Sequence, residues 1–293
     1  MHHPLTHPGF TRIGPKQPRL PVVIAVPHAG REYPESLLAN AAISPHRLAQ
    51  LEDRHADMLV SDAVGSGAIA IVAVRARAWL DLNRDPREID PAMIADAIPP
   101  GLIVSKRTRS GLGLFPRRIG TGPELWRHRM TAKEIAERIA ALHEPYHAAL
   151  AAALAATRDQ FGIAILIDCH SMPPIRPVRT GHGPSIVIGD RFGKSASSGI
   201  SDRIEATLDG LGIRFARNTP YAGGYTLDRH GNPGEGIHAI QIEFDRSLYL
   251  DKALDAAGPG MVPTRRVFNA LFHALANQAG ELPGAYTFPA AAE

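Results

Sequence analysis

The chain has 293 residues, of which 44% are hydrophobic and 21% are charged, and its formal net charge is +3. This composition is typical of a folded globular protein and excludes a disordered chain. Basic residues are scattered rather than clustered, so we expect neither nucleic acid nor a membrane as a partner, whereas a small anionic substrate suits the mild positive charge.

The sequence contains one cysteine, Cys169, so an internal disulfide and a thiolate metal cluster are both excluded. No segment approaches the roughly 18 consecutive apolar residues that a membrane-spanning helix needs. We therefore predict a chain without a transmembrane helix, located in the cytoplasm. The sequence leaves the oligomeric state open.

Predicted elements alternate between strands and helices along the chain. Residues 1–19 are rich in proline, histidine and basic residues and predict a flexible N-terminal arm. A capping box of Thr131 and Glu134 predicts the start of a helix, and Pro145 predicts a kink in it or a break into two helices. Short apolar runs predict strands at 20–27, 68–74, 163–167, 185–188, 213–216 and 237–244, and helical patterns cover 46–65, 131–158, 193–211 and 262–279.

This alternation predicts an α/β fold with one sheet between helix layers. The strands are nearly continuous apolar runs, as a sheet covered on both faces requires. No linker divides the sequence, so residues 20–293 are predicted to form a single domain.

Polar residues follow several predicted strands, where ligands of α/β proteins gather. His28 follows the first strand, Asp168 and His170 follow the third, and Glu243 lies within the last. A catalytic zinc ion needs three protein ligands and an open position for water, and histidines with a carboxylate suit it. We predict that a further carboxylate acts as general base, and choose Glu243. Asp168 would orient the imidazole of His170 from behind.

Each of these residues also has an interpretation without catalysis. A histidine at a strand end is often a hydrogen-bonded structural residue, and Glu243 would equally suit a buried ion pair. A cysteine hydrolase built on Cys169 and His170 is disfavoured because adjacent strand residues point to opposite faces.

Five segments between residues 20 and 250 together resemble the N-formylglutamate amidohydrolase family, and they occur in the same order. They are Ile24–Gly30, the Asp53 segment, Asp81–Arg84, Asp168–Ser171, and Gly223–Tyr225 through Ile240–Glu243. The resemblance implies a fold similar to the zinc carboxypeptidases, with a mixed, largely parallel sheet of about eight strands.

The resemblance also implies roles for individual residues. His28 and His170 would bind one Zn²⁺ ion with Asp53 as third ligand, and Glu32, Glu52 and Asp57 are the alternatives to Asp53. Asn83 and Arg84 would hold the α-carboxylate of the substrate, and Tyr225 and Arg229 lie in a glycine-flanked segment that would close over it. A second cation for a substrate side chain is left open among Arg109, Arg176, Arg179 and Arg229.

The predicted activity is zinc-dependent hydrolysis of an N-formyl or other N-acyl amino acid, with N-formyl-L-glutamate as the leading substrate. Its products would be L-glutamate and formate. Two alternatives use the same metal site, an N-acyl amino acid deacylase and a carboxypeptidase-like peptidase. A third is a non-catalytic binding protein that retains the fold.

Overall fold

The computed structural model describes residues 8–175 and 183–278, in which seven strands form one sheet in the order β1-β3-β2-β4-β7-β5-β6. Six of these strands coincide with predicted ones, and β1 was not predicted because its short, half-polar sequence lacks an apolar run. The strands are β1 (Phe10–Ile13), β2 (Val22–Val26), β3 (Ile69–Ala73), β4 (Ala164–Met172), β5 (Ile186–Gly189), β6 (Phe215–Arg217) and β7 (Ile237–Asp245).

The sheet is mixed and largely parallel, as predicted. β2 pairs with β4, β4 with β7, and β5 with β6 in parallel, whereas β5 runs antiparallel to β7. Every residue of β2 and of β4 is buried, so the centre of the sheet is covered on both faces. The chain is therefore a single α/β domain, with seven strands among the described residues where about eight were expected.

Helices connect the strands. Each of the four predicted helical ranges contains helix, but the range 46–65 does not form one continuous helix. The helices are α1 (Glu35–Asn40), α2 (Pro45–Leu48), α3 (Ala56–Leu59), α4 (Ser61–Gly65), α5 (Lys106–Arg109), α6 (Ala132–Arg138), α7 (Glu144–Phe161), α8 (Ser198–Gly210), α9 (Tyr225–His230) and α10 (Met261–Gln278). No helix in the described part of the chain is both long and apolar enough to cross a membrane.

The predicted helix over 46–65 is broken into α2, α3 and α4. The backbone N–H of Asp53 donates to the carbonyl of His28 at 2.9 Å, which draws the chain out of a helical path. His55 then adopts a left-handed conformation with φ of 59° before α3 begins. The prediction of one helix was wrong because contacts distant in sequence outweigh the local helical pattern.

The helix predicted over 131–158 is continuous from α6 to α7 through a π-helical turn at Ile139–His143. The hydroxyl of Thr131 accepts the N–H of Glu134 at 3.2 Å, which confirms the predicted cap. The carboxylate of Glu134 instead accepts from Arg138 at 2.6 Å. Pro145 leaves the helix unbroken, because the preceding wide turn accommodates a residue that has no N–H to donate.

Contacts between Cα atoms group the domain into two compact units. Among the described residues, the first comprises 8–11, Pro27–Arg54 and Ile71–Ala149, and it contains α1, α2, α5 and α6. The second comprises Arg12–Val26, His55–Ala70, 150–175 and 183–278, and it contains β2, β4, β5, β6 and β7. Within the predicted N-terminal arm of residues 1–19, Phe10–Ile13 forms β1, whereas residues 1–7 lie outside the described part.

A buried aspartate, Asp190, fixes the chain where it leaves β5. Its carboxylate accepts hydrogen bonds from Ser201 at 2.8 Å, from Asn218 at 2.7 Å and from Arg217 at 2.5 Å. Burial alone would raise the pKa of the Asp190 carboxyl, but these hydrogen bonds outweigh it and lower the pKa below its ordinary value. Asp190 is therefore ionised in the folded protein at neutral pH and stabilises this turn.

Candidate active site

Two histidines and one aspartate, each from a different predicted motif, come together in the structure. His28, Asp53 and His170 each offer one ligand atom, and these atoms all lie within 4.8 Å of one another. All three residues are buried. The donor atoms of His28 and Asp53, Nδ1 and Oδ2, are 3.4 Å apart.

His28 is held by the backbone around it. It lies two residues after the end of β2, and its carbonyl accepts the N–H of Asp53, which fixes these two ligands relative to each other. Gly30 lies against the backbone of Arg75, where a Cβ atom would come within 2.0 Å of the Arg75 carbonyl oxygen. The Pro-His-Ala-Gly string therefore needs its glycine because two backbone segments meet there.

Asp81 lies behind His28, and sequence reasoning did not assign it a role. Its Oδ1 is 2.7 Å from Nε2 of His28 and accepts the backbone N–H of Asn83 at 2.9 Å. Because a carboxylate accepts and does not donate, Nε2 of His28 carries the proton, and Nδ1 is the nitrogen directed at Asp53. A carboxylate behind a histidine in this way is typical of metal sites.

Two arginines stabilise the charge of Asp81. Arg77 contacts its Oδ2 at 2.8 Å, and Arg84 lies 3.6 Å from the same atom. Complete burial would raise the pKa of Asp81, but Arg77, Arg84 and His28 outweigh burial and hold it well below the ordinary value. For Arg84, a base, burial has the opposite effect and lowers the pKa to about 10. The Asp-Leu-Asn-Arg string thus supports His28 from behind.

A pair of buried histidines fixes the same loop. Nε2 of His143 donates to the carbonyl of Arg84, and Nε2 of His147 donates to that of Leu82, each at 2.9 Å. The two imidazole rings are 4.5 Å apart at the start of α7. Sequence reasoning missed both histidines. Their spacing of four residues is a signal that could have indicated them, because residues so spaced share one face of a helix.

His170 and Glu243 lie side by side on the two central strands. They are direct partners in the parallel register of β4 and β7, so their side chains project from the same face of the sheet. Asp168, two residues before His170, shares that face, and its Oδ2 is 3.0 Å from Nε2 of His170. Cys169 lies between them on the opposite face, which argues against a Cys–His pair.

The alternatives to Asp53 have other surroundings. Glu52 accepts hydrogen bonds from the hydroxyl of Tyr33 and, at 3.0 Å, from Arg54. Glu32 pairs with Arg75 at 3.2 Å. Asp57 lies on α3, beyond the left-handed turn. Among the described residues, Asp53 is the carboxylate that the structure groups with the two histidines.

The residues predicted to bind the substrate are distributed over two segments. Arg84 donates from Nε to the carbonyl of Leu112 at 2.9 Å and from Nη1 to that of Asn83 at 2.7 Å. Tyr225 and Arg229 contact each other in α9, where Nη1 of Arg229 donates to the tyrosine hydroxyl at 2.8 Å.

The segment before α9 packs on the same sheet face as Glu243. Gly189 of β5 is the register partner of Gln241, so a Cβ atom at position 189 would point to that face. Such an atom would lie 2.7 Å from the carbonyl carbon of Ala222 and from the nitrogen of Gly223. The backbone at Ala222 and Gly223 therefore lies over β5 at Gly189, next to Gln241 in the register of the sheet.

Of the arginines left open for a second cation, Arg109 donates to the carbonyl of Val104 at 3.2 Å. Arg176 and Arg179 lie outside the described residues. A further arginine, which sequence reasoning missed, is Arg246, whose Nε donates to Ser171 at 3.1 Å. It follows β7 directly and ties the ends of the two central strands together.

Two imidazoles and one carboxylate are donors that suit a divalent metal ion such as zinc. With bonds of about 2.0–2.1 Å and tetrahedral angles, neighbouring ligand atoms lie about 3.3 Å apart. The 3.4 Å between His28 and Asp53 agrees with that separation. Asp81 contacts Nε2 of His28 and Asp168 contacts Nε2 of His170, and a carboxylate behind each histidine in this way is typical of metal sites.

The chain is similar to known proteins over most of its length. The N-formylglutamate amidohydrolase family model matches residues 20–250. An N-formylglutamate deformylase of Pseudomonas putida is 27% identical over 265 residues, covering 87% of this chain and 93% of the relative. One of Pseudomonas aeruginosa is 29% identical over 241 residues, covering 81% and 85%. A crystal structure of an N-formylglutamate amidohydrolase from Ralstonia eutropha superposes with a TM-score of 0.87 at 30% identity, covering 94% of this chain and 99% of that one.

Proposed function

Because the chain belongs to the N-formylglutamate amidohydrolase family, we propose that it hydrolyses N-formyl-L-glutamate to L-glutamate and formate with one bound zinc ion. The observation that carries this proposal is the buried cluster of His28, Asp53 and His170 with Glu243 beside it on the sheet. A cluster of two imidazoles and one carboxylate suits a catalytic zinc ion with an open coordination position.

A zinc ion held by these three residues would polarise the formyl carbonyl and lower the pKa of water. Glu243 acts as general base, taking one proton from the water molecule that attacks the carbonyl carbon. As the C–N bond breaks, Glu243 returns that proton to the departing amine nitrogen. One water molecule is consumed, and formate and the free amino acid are released.

Asn83 and Arg84 are proposed to bind the α-carboxylate of the substrate. Both follow Asp81, whose carboxylate also contacts His28, so the loop links substrate binding to the metal ligand. The guanidinium of Arg84 presents a planar set of N–H donors that suits a carboxylate. Tyr225 and Arg229 are proposed to close over the substrate from α9, since the backbone that precedes α9 lies at Gly189, on the face of the sheet that carries Glu243.

The reaction is tested by measuring formate release from N-formyl-L-glutamate before chelation, after chelation and after zinc is returned. We expect activity to vanish with the chelator and to recover with zinc. N-formyl-L-alanine and N-acetyl-L-glutamate, assayed in parallel, separate a deformylase specific for glutamate from a general deacylase. Absence of formate release under every metal condition would refute the proposal.

The role of Glu243 is tested with Glu243→Gln, which keeps the size of the side chain and removes its basicity. Turnover should fall by about 10²–10⁴-fold with zinc still bound, because general acid–base catalysis contributes about that much. Glu205→Gln is the matched control, since Glu205 lies on α8 and pairs with Arg217 at 3.3 Å. Near-normal turnover by Glu243→Gln would show that another group is the base.

A further inference from the structure

Gln241 is a buried amide two residues before Glu243 that neither the sequence motifs nor the proposed reaction assigns a role. Its side chain is on the same face of β7 as that of Glu243, because the strand period is two residues. The Nε2 atom of Gln241 donates to Oε1 of Glu243 at 3.0 Å. Gln241 is 3% exposed, so bulk water does not replace this donor.

The surroundings of Gln241 fix its own position. In the sheet register it lies between Asp168 of β4 and Gly189 of β5. On that face the backbone of Ala222 and Gly223 occupies the space where a side chain at Gly189, the register partner of Gln241, would be. A buried amide on a strand that is paired on both sides is a rigid donor.

We infer that Gln241 is a positioning residue, which holds the carboxylate of Glu243 in the orientation that proton transfer needs. This inference rests on the proposed role of Glu243 as general base. A side chain with three rotatable bonds has several staggered orientations, and one buried hydrogen bond selects among them. Reaction geometry is sensitive to shifts of about 1 Å, which can cost about 10²-fold in rate.

The bond also distinguishes the two oxygens of the Glu243 carboxylate, because Gln241 donates to Oε1. In a protonated carboxyl group the carbonyl oxygen is a better acceptor than the hydroxyl oxygen. Protonation at Oε2 leaves Oε1 as the carbonyl oxygen, so the bond from Gln241 is kept. Protonation at Oε1 would weaken it. The geometry therefore favours Oε2 as the oxygen that takes the proton from water and returns it to the amine.

The test replaces Gln241 with Met in the full-length zinc enzyme, which keeps the length of the side chain and removes the donor. We expect kcat to fall roughly 10- to 100-fold and KM to stay within about twofold, because substrate contacts are unchanged. Zinc content should equal that of the wild type. Rates are normalised to the folded, zinc-loaded protein, because partial unfolding by itself lowers the apparent kcat and leaves KM unchanged.

Ser195→Ala is the matched control. The buried hydroxyl of Ser195 donates at 2.8 Å to the carbonyl of Ala239, which lies on β7 as Gln241 does. This variant therefore also removes one buried hydrogen bond to β7. We expect it to lower the melting temperature without changing kcat. Equal losses of kcat in the two variants would overturn the inference, because the effect would then be a general loosening of the strand.

The outcomes separate this inference from the proposed function. A wild-type enzyme that releases no formate refutes the proposed function, and this inference falls with it. An active wild type with normal kcat in Gln241→Met refutes the inference alone.

If Gln241→Met does not fold, the side-chain amide signals of Gln241 are compared by NMR in the wild type and in Glu243→Ala. A shift on loss of Glu243 supports the inference, and unchanged signals overturn it.

Discussion

Replacing Asp81 with Asn tests whether the carboxylate behind His28 supports metal binding. Asn keeps the size of the side chain and an oxygen that can accept from Nε2 of His28, but it removes the negative charge. Asp81 is fully buried, and its carboxylate contacts His28 at 2.7 Å and Arg77 at 2.8 Å. The substitution should therefore weaken both metal binding and folding, to different extents.

The two effects can be estimated separately. Removing a carboxylate that orients a metal-bound histidine typically costs about 10- to 100-fold in metal affinity. Leaving Arg77 and Arg84 without their buried anion should cost about 3 kcal/mol, the low end for a broken buried pair, because Arg77 is 16% exposed. In a chain of this size that corresponds to a melting temperature lower by roughly 6–12 °C.

Zinc affinity is measured by competition with a chelator of known affinity, and stability by thermal melting of the metal-free protein. Asp90→Asn is the matched control, because Asp90 is also buried and pairs with Arg117 at 2.7 Å. It should lower stability without changing zinc affinity. If Asp81→Asn lost stability and kept wild-type zinc affinity, Asp81 would be a structural residue and the argument would be refuted.

Three further predictions concern Gly30, Asp190 and Arg84, whose contacts are described above. Gly30→Ala places a Cβ atom 2.0 Å from the carbonyl oxygen of Arg75, so the loop must shift and zinc affinity should fall at least about tenfold in the chelator assay; unchanged affinity would contradict this. Asp190 has a lowered pKa in the folded state, so its contribution to stability is present above the unfolded pKa of about 3.9 and lost as pH falls through the lower folded value. Thermal melts of Asp190→Asn should therefore have a flatter pH dependence than the wild type below about pH 4, and parallel curves would disprove the linkage. Arg84→Lys should raise KM about tenfold or more with a smaller effect on kcat, since an ammonium cannot bind a carboxylate with two parallel bonds. An unchanged KM in steady-state kinetics would show that Arg84 does not bind the substrate.

The sequence was sufficient to predict most of the sheet and two residues of the donor cluster. Apolar strands followed by His28 and His170 predicted that both histidines lie at strand ends, and the structure brings them together with Asp53. Those two predictions rely on strand ends, which are local features, whereas Asp53 was preferred over Glu32, Glu52 and Asp57 only through the resemblance to a family. The fold class was predictable from the alternation of strands and helices, which is also a local feature.

Contacts between distant residues were not predictable in this way. The Asp81 string was noticed, but nothing local indicates that its carboxylate contacts His28, which is 53 residues away in sequence. The break at His55 depends on a hydrogen bond between Asp53 and His28, and a helical pattern contains no information about it. Gln241 and Glu243 are two residues apart on one strand, so strand period places their side chains on one face, but the hydrogen bond between them depends on side-chain orientations that the sequence does not specify.

The position of Cys169 makes the protein convenient for kinetic study. Its thiol is fully buried on the central strand β4, on the face opposite the donor cluster, and the sequence has one cysteine. A thiol reagent can modify it only when the central sheet opens, so the labelling rate reports that opening. Comparing the rates with and without zinc would give the free energy by which the metal holds the sheet closed.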